Sequence, residues 1–262
     1  MKKILDTFRR KWAEYLLEIM VIMIGILGAF SLNTWNENLK LQREEMIMLT
    51  SFRESLLDDL NGFQRPLLEN QRQSNSMQIL IETIERDLPY HDSLKYHFGN
   101  STELWAGRIN ESVFETLQSK GLSLISNEQL RRHIINLYGV NNSSYMSRIN
   151  DYRKVLLDGS NSILITRFEE FWKGPYKQWN TGDDKFDGDN YEENYGYYAG
   201  YLPTQEMIPL DFEKLKQDHE YLYFLKTSRN LHYWWMERNI KSMHASLKSL
   251  LEEVEIEIEE RA

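Results

Sequence analysis

The chain has 262 residues, of which 41% are hydrophobic and 27% charged, and its formal net charge is −9. It contains no cysteine, which excludes a disulfide framework, a thiol nucleophile and thiolate metal sites. Beyond Trp35 the chain holds 37 acidic and 26 basic residues, and such an acidic surface repels nucleic acid. We therefore expect no nucleic-acid partner.

The first predicted element is a membrane-spanning helix over residues 15–35, preceded by a short tail, 1–14. The apolar run itself, Ile19–Leu32, is shorter than the ~20 residues that cross a bilayer. However, Trp12 and Trp35 flank it, as aromatic residues do at membrane interfaces. They are 23 helical steps apart, roughly 34 Å at ~1.5 Å per residue, which matches the thickness of a bilayer. The span predicts membrane lipid as a partner.

The distribution of charge predicts the orientation of this helix. Lysine and arginine residues cluster before the apolar run, and such clusters stay on the cytoplasmic side. We expect a single-pass inner-membrane protein with residues 1–14 in the cytoplasm and the bulk in the periplasm. A cleaved signal peptide with a site at Ala29-Phe30-Ser31 is one alternative, and a buried helix of a soluble protein is the other. The long segment before the apolar run, with Trp12 and Glu14, disfavours the signal peptide.

A carboxylate and three small residues make this helix a candidate interface between copies of the chain. Glu18 either reaches the cytoplasmic headgroups or meets a polar partner on a neighbouring helix. Gly25 and Ala29 are four residues apart, a spacing that permits close helix approach. The candidate interface residues are Glu18, Gly25, Gly28, Ala29 and Trp35.

Residues 36–88 are predicted to form a stalk. No glycine or proline follows Trp35 until Gly62, and apolar residues recur at spacings of three and four from Met46 to Leu67. This periodicity predicts an amphipathic helix that ends or bends near Pro66, and a second helical piece that ends before Pro89. The heptad-like spacing also favours a coiled coil between copies.

Residues 89–262 are predicted to form a helical bundle outside the membrane. The expected helices are a short one within 90–109, then 110–119 capped by Gly121, 128–158 after a capping box at Ser126–Gln129, 163–172, and 212 to the end. Alternation typical of strands is lacking. The predicted fold class is all-α: one membrane helix that continues into a long stalk helix, followed by a helical bundle.

A long loop, 174–209, interrupts this bundle and combines glycines, aromatic residues and acidic residues. Its tyrosines either contact a ligand or cover the core, and Trp234-Trp235 is assigned to packing beneath the loop. Calcium binding at 183–189 is disfavoured, because the EF-hand register fails: Lys185 would fall at its third position. The candidate ligand-contact residues are Tyr191, Tyr195, Tyr197, Tyr198 and Tyr201.

Catalytic and metal-binding signatures are not found in the sequence. The six histidines include no pair four residues apart, and phosphate loops, dinucleotide fingerprints and nucleophile elbows are missing. We therefore predict that the chain is not an enzyme and that it carries no metal or cofactor.

The N-terminal motif resembles that of a known family. Glu18-x6-Gly25-Ile26-x2-Ala29, followed by Asn33-x-Trp35-Asn36-Glu37, is similar to the start of a family of uncharacterised single-span membrane proteins common in Bacteroidota. The stretches 119–131 and 211–215 also resemble that family. Since the family has no known activity, the resemblance implies the membrane topology and not a mechanism.

Two functions stay open at this point. The first is a membrane-anchored scaffold or interaction protein that forms homo-oligomers. The alternative is a sensory or ligand-binding domain that signals through a partner in the membrane or envelope, because a 14-residue tail holds no output domain.

Overall fold

One very long helix, α1, runs from Lys2 to Glu85 and organises the whole structure, a computed structural model that describes residues 2–170 and 206–261. The chain has no glycine or proline between Gly28 and Gly62, so nothing interrupts the helix there. Pro66 lies inside α1 and does not end it. The amide of Asn70 donates a hydrogen bond to the Pro66 carbonyl oxygen at 2.6 Å, one turn further on.

Shorter helices follow α1, and two of them are extended by a turn of π-helix. The helices are α2 (Leu94–Asn100), α3 (Ser112–Lys120), α4 (Glu128–Ile135), α5 (Asn142–Ser162), α6 (Phe212–Lys216), α7 (His219–Trp235) and α8 (Lys241–Glu259). The π-turn Asn136–Asn141 joins α4 to α5, and the π-turn Met236–Ile240 joins α7 to α8. Two long helical rods result, 128–162 and 219–259.

These two rods and α1 lie side by side. At one end Arg261, after α8, forms a salt bridge with Glu45 of α1. At the other end Lys226 of α7 forms a salt bridge with Glu85. The rod α7–α8 is therefore antiparallel to α1, and it packs against both α1 and the rod α4–α5.

The described residues of the domain form two apolar cores, which we call the inner core and the outer core by their distance along α1 from residue 35. The inner core joins the buried face of α1 to α3, α4, α5 and α8; its members include Leu49, Phe52, Leu56, Phe63, Leu117, Ile134, Leu247, Leu250 and Val254. The outer core surrounds the last turns of α1; its members include Met77, Leu80, Ile81, Phe98, Phe168, Phe212, Tyr221 and Phe224.

A layer of buried polar side chains lies between the two cores. Asn70, Gln73 and Ser76 of α1 are at most 2% exposed. Gln73 donates to the Tyr152 hydroxyl at 3.2 Å, and Asn70 donates to the Trp105 carbonyl oxygen at 2.8 Å. Each of these bonds joins α1 to another segment, so the layer ties α1 to the rod α4–α5 and to the 101–105 loop.

Several helix ends agree with the sequence, and others differ for physical reasons. Gly121 ends α3 with a φ of 104°, a conformation that glycine adopts without strain, and Asp211 caps α6 as predicted. The capping residue of α4 is Asn127 rather than Ser126, and the Ser126 hydroxyl accepts a hydrogen bond from Arg261.

The predicted helices after residue 162 also differ in part. The described part of 163–172 forms only a 3-10 turn, Leu164–Thr166, and then Phe168 pairs with Pro209 in an isolated bridge. The helix predicted from 212 onward is interrupted at Asp218, whose carboxylate caps α7.

The all-α fold class is confirmed: one long apolar N-terminal helix is followed by further helices, and the described residues form no β-strand. The segment predicted as a stalk is the outer half of α1, and its buried face belongs to the domain's own core from Glu45 onward.

Candidate functional site

The apolar segment of α1, residues 16–35, is exposed on every side. Its hydropathy averages 2.1 over the most apolar window, and none of that window is buried against other residues. Even Phe30 and Ile24 are 74% and 69% exposed. Among the described residues α1 is the one helix long and apolar enough to cross a membrane.

Three of the five predicted interface residues lie on the side of α1 that faces away from the domain. At ~100° per residue, Glu18, Gly25 and Ala29 lie roughly 150–170° around the helix from the centre of the buried face of α1, which is formed by Leu49, Phe52, Leu56 and Phe63. Gly28 lies about 90° and Trp35 about 70° from that centre, so Trp35 belongs to the domain-facing half of the helix. No atom comes within 4 Å of the position of an added Cβ at Gly25 or Gly28.

The heptad-like stripe between Met46 and Leu67 does not share this surface. Leu49, Phe52 and Leu56 are fully buried against helices of the same chain, so they are not available to a second copy. A different, sparser row of apolar side chains follows the open side of α1. It consists of Ile47, Leu57, Leu68 and Ile79, which are between 40% and 73% exposed.

A cluster of charged residues fastens the start of the domain next to the apolar segment. Glu45 is 3% exposed and accepts hydrogen bonds from the Ser126 amide and the Arg261 guanidinium, both at 2.6 Å. Arg261 also pairs with Glu257, which in turn accepts from Asn127. Helices α1, α4 and α8 are thereby joined ten residues beyond Trp35.

A surface groove of about 190 Å³ lies between α5 and α7. Its lining residues are Arg148, Asp151, Tyr152, Val155, Leu231, Trp234, Trp235 and Asn239. Asn239 belongs to the π-turn after α7, and π-turns recur at functional sites. The guanidinium of Arg148 donates to Asn239 across the groove at 2.7 Å.

The aromatic wall of the groove is held in place by stacking. Trp235 lies between Tyr145 and Tyr152, with ring centroids 5.5 Å and 6.2 Å away and nearly parallel planes. The neighbouring Trp234 is 53% exposed, and the Arg238 guanidinium lies 4.9 Å from its ring centroid. One tryptophan is therefore a rigid core residue and the other an open ring at the surface.

Behind this wall lies His232, which is fully buried. Because the Asn70 amide nitrogen donates to two carbonyl oxygens, its oxygen accepts from the His232 Nε2–H at 3.1 Å. Burial lowers the pKa of His232 to about 4, since the charged form loses its hydration. The imidazole is neutral at pH 7 and acts as a structural donor.

The other predicted site residues are not brought together by the described part of the chain. The five tyrosines of the 174–209 loop and the acidic stretch 183–189 lie outside the described residues. Within the described ranges no group of three or more histidine, aspartate or glutamate side chains could hold a metal ion.

Sequence reasoning missed the groove and assigned both tryptophans to the core. One signal was present: adjacent residues on a helix point about 100° apart, so Trp234 and Trp235 cannot both face the same core centre. The α5 side of the groove, Arg148 to Val155, carries no pattern that connects it to α7.

The fold and the bare apolar segment define a helical protein with one candidate membrane anchor. Residues 18–162 match a family of unknown function, DUF6090, and the chain belongs to this family because the match covers more than half of its length. Neither a curated protein nor a solved structure matches the chain. Membership in an uncharacterised family is thus confirmed, while the taxonomic range and the N-terminal motif stay predictions.

The family match begins at Glu18 and ends at Ser162, the last residue of α5. It covers the apolar segment from Glu18 and the outer half of α1, and it includes the α5 side of the groove but not the α7 side.

Proposed function

We propose that this protein is a single-span membrane anchor whose helical domain assembles with further copies of itself at the surface of the inner membrane. The observation that carries the proposal is the apolar segment: it is exposed all round and continues without interruption into the central helix of the domain. An apolar helical segment of this length that is exposed on every side is stable only in lipid or against other apolar helices.

The side on which copies meet is, in this proposal, the open side of α1. Glu18, Gly25 and Ala29 lie on the side opposite the buried face, so two anchors can approach there without a collision between their domains. Small residues allow close contact between helix backbones in lipid, and a carboxylate gains a polar partner at such a contact.

The proposal also includes the topology. The basic residues of the tail, 1–14, favour a cytoplasmic N-terminus and a periplasmic domain. The protein then acts by assembly rather than catalysis, alone or with a further membrane or envelope protein. A reporter fused after the last residue should be active only outside the cytoplasm; activity inside would contradict this topology.

Assembly is tested by substitutions in the anchor with a control of equal bulk. We expect Gly25→Leu and Ala29→Leu to weaken the oligomer in mild detergent, because added volume separates the backbones. Ser31→Leu adds similar bulk on the domain side of the helix and should leave the oligomer intact. Glu18→Gln should weaken it less than Gly25→Leu does, because an amide still forms hydrogen bonds.

Cysteine crosslinking in membranes provides a second test, since the natural chain contains no cysteine. Ile47→Cys and Leu57→Cys place thiols on the open side of α1 and should give crosslinked dimers. Leu157→Cys on α5 is also exposed and should not. A monomeric wild-type chain, or dimers with Leu157→Cys alone, would contradict assembly through α1.

A further inference from the structure

We infer that the domain separates at the polar layer: the part around the outer core opens and closes while the part around the inner core stays folded. This conformational device goes beyond the proposed assembly function, which concerns the open side of α1.

Apolar packing is interrupted at the polar layer on two helices. Within 68–76, every buried residue of α1 belongs to the layer, a gap of about 15 Å between apolar contacts at ~1.5 Å per residue. Within 226–234, the buried residues of α7 are also polar, namely Ser228 and His232. The hydrogen bond between His232 and Asn70, 3.1 Å long, places both gaps at the same level. The inner and outer cores accordingly share no residue.

Several polar atoms at this level lack a partner. The side-chain oxygens of Gln73 and Asn100, the Ser228 hydroxyl and the His232 Nδ1 have no hydrogen-bond partner among the described residues. All four side chains belong to residues that are at most 4% exposed. Such an atom has lost its hydration and gains no bond in return, whereas opening returns it to water. Separation at the polar layer is therefore less costly than separation within either apolar core.

Ion pairs connect the segments of the outer core to one another. Lys216 of α6 pairs with Asp87, which follows α1, and Arg167 pairs with Asp218, which precedes α7. Neither pair includes a residue of the inner core. Opening at the polar layer leaves both pairs in place, so the outer part moves as one unit.

The outer part is the less stable of the two. Its helices α2 and α6 have only seven and five residues, and helices this short depend on tertiary packing. The inner part contains the longer helices α5 and α8, and the buried Glu45 fastens it through Arg261. Opening of the outer part exposes aromatic side chains such as Phe98 and Tyr221, while the inner part stays folded next to the apolar segment.

Hydrogen exchange of the full chain in mild detergent, followed by mass spectrometry, tests the inference. When closing is faster than exchange, the rate at each amide reports the free energy of the opening that exposes it. After correction for intrinsic rates, the outer amides, 98–101 and 221–225, should exchange at least about tenfold faster than the inner amides, 52–56 and 247–251.

Two matched variants distinguish separate opening from a gradient of local flexibility. Ile81, in the outer core, is 2% exposed, and Ile134, in the inner core, is 0% exposed. Ile81→Val should speed exchange roughly two- to tenfold at both sets of amides, because outer opening and complete unfolding both expose residue 81. Ile134→Val should speed the inner amides by a similar factor and leave the outer amides unchanged, because outer opening keeps residue 134 buried.

The inference is overturned if the wild-type chain protects both sets of amides equally, or if the inner amides are the less protected. It is also overturned if Ile134→Val speeds both sets by the same factor, since the domain would then unfold as a single unit. Both isoleucines are buried inside the domain, so neither variant alters the open side of α1 and the outcome is independent of oligomer formation.

Discussion

The two halves of α1 form one continuous helix, but their surroundings differ completely. In the apolar segment, 16–35, no side chain within the most apolar window is buried, and an apolar residue is found on every side. From Glu45 to Glu85 one face is packed against the domain and the other is open. The stability of the outer half therefore depends on specific contacts within the chain, whereas that of the apolar segment depends only on what surrounds the whole molecule.

The largest expected effect comes from the same truncation made in each half. Leu56→Ala removes a side chain that is 0% exposed and should lower the free energy of unfolding by about 2–5 kcal/mol, from lost burial and the cavity it leaves. Leu27→Ala, at a position 64% exposed, should leave the domain's unfolding midpoint unchanged. Urea titrations of the full chain in detergent, followed by circular dichroism, measure both; equal midpoints would show that the two halves are not distinct.

A second test uses acid, because two buried ionisable groups associated with the outer half of α1 respond in opposite directions. His232, bonded to Asn70, has a pKa lowered to about 4, so its contribution to stability is lost as pH falls from about 6.5 towards 4. Burial raises the pKa of Asp59 to about 6, so that group stabilises the fold as pH falls through the same range.

Replacing one of the two groups should reveal the pH dependence of stability that the other contributes. Between pH 7 and pH 4.5, the free energy of unfolding should fall by about 2–3 kcal/mol less in His232→Gln than in the wild type. Asp59→Asn should lose stability more steeply over that range. Denaturant titrations at both pH values check this, and a wild-type pH dependence in His232→Gln would contradict the assignment of His232.

The smallest expected effect compares two glycines of α1. An added Cβ meets no atom within 4 Å at Gly62 or at Gly28. Gly62→Ala should therefore raise the stability of the domain by about 0.5–1 kcal/mol, because alanine loses less backbone entropy in a helix. Gly28→Ala should not change it. Thermal unfolding distinguishes the two variants. A lower stability of Gly62→Ala would mean that the surface of α1 around Gly62 is in contact with another part of the protein.

The sequence predicted those helices and helix ends that are determined by residues close together in the chain. The apolar run predicted the long apolar N-terminal helix, and Gly121 and Asp211 predicted helix boundaries that the structure has. The periodicity from Met46 to Leu67 predicted a helix with a buried face. It could not indicate the partners, which are α8 and other helices of the same chain rather than a second copy of α1.

Features that depend on distant residues were not predictable in this way. The hydroxyl of Ser126, next to the capping residue Asn127 of α4, accepts a hydrogen bond from Arg261, which lies 135 residues later. The groove likewise needs Arg148 and Asn239 together, and their contact spans 91 positions. The sequence assigned ligand contact to the 174–209 loop, and that assignment stays a prediction.

The apolar segment and the domain share one continuous helix, α1, so a change in the angle of the segment moves the domain. From Trp35 to Pro66 the helix is about 46 Å long at ~1.5 Å per residue. If the apolar segment spans a bilayer, as proposed, a change in bilayer thickness that tilts it by about 10° would move the Pro66 end sideways by about 8 Å. The Glu45–Arg261 pair fastens the domain near the pivot, so the whole domain must follow. In the proposed membrane assembly, a change in membrane thickness would therefore change the spacing between neighbouring domains.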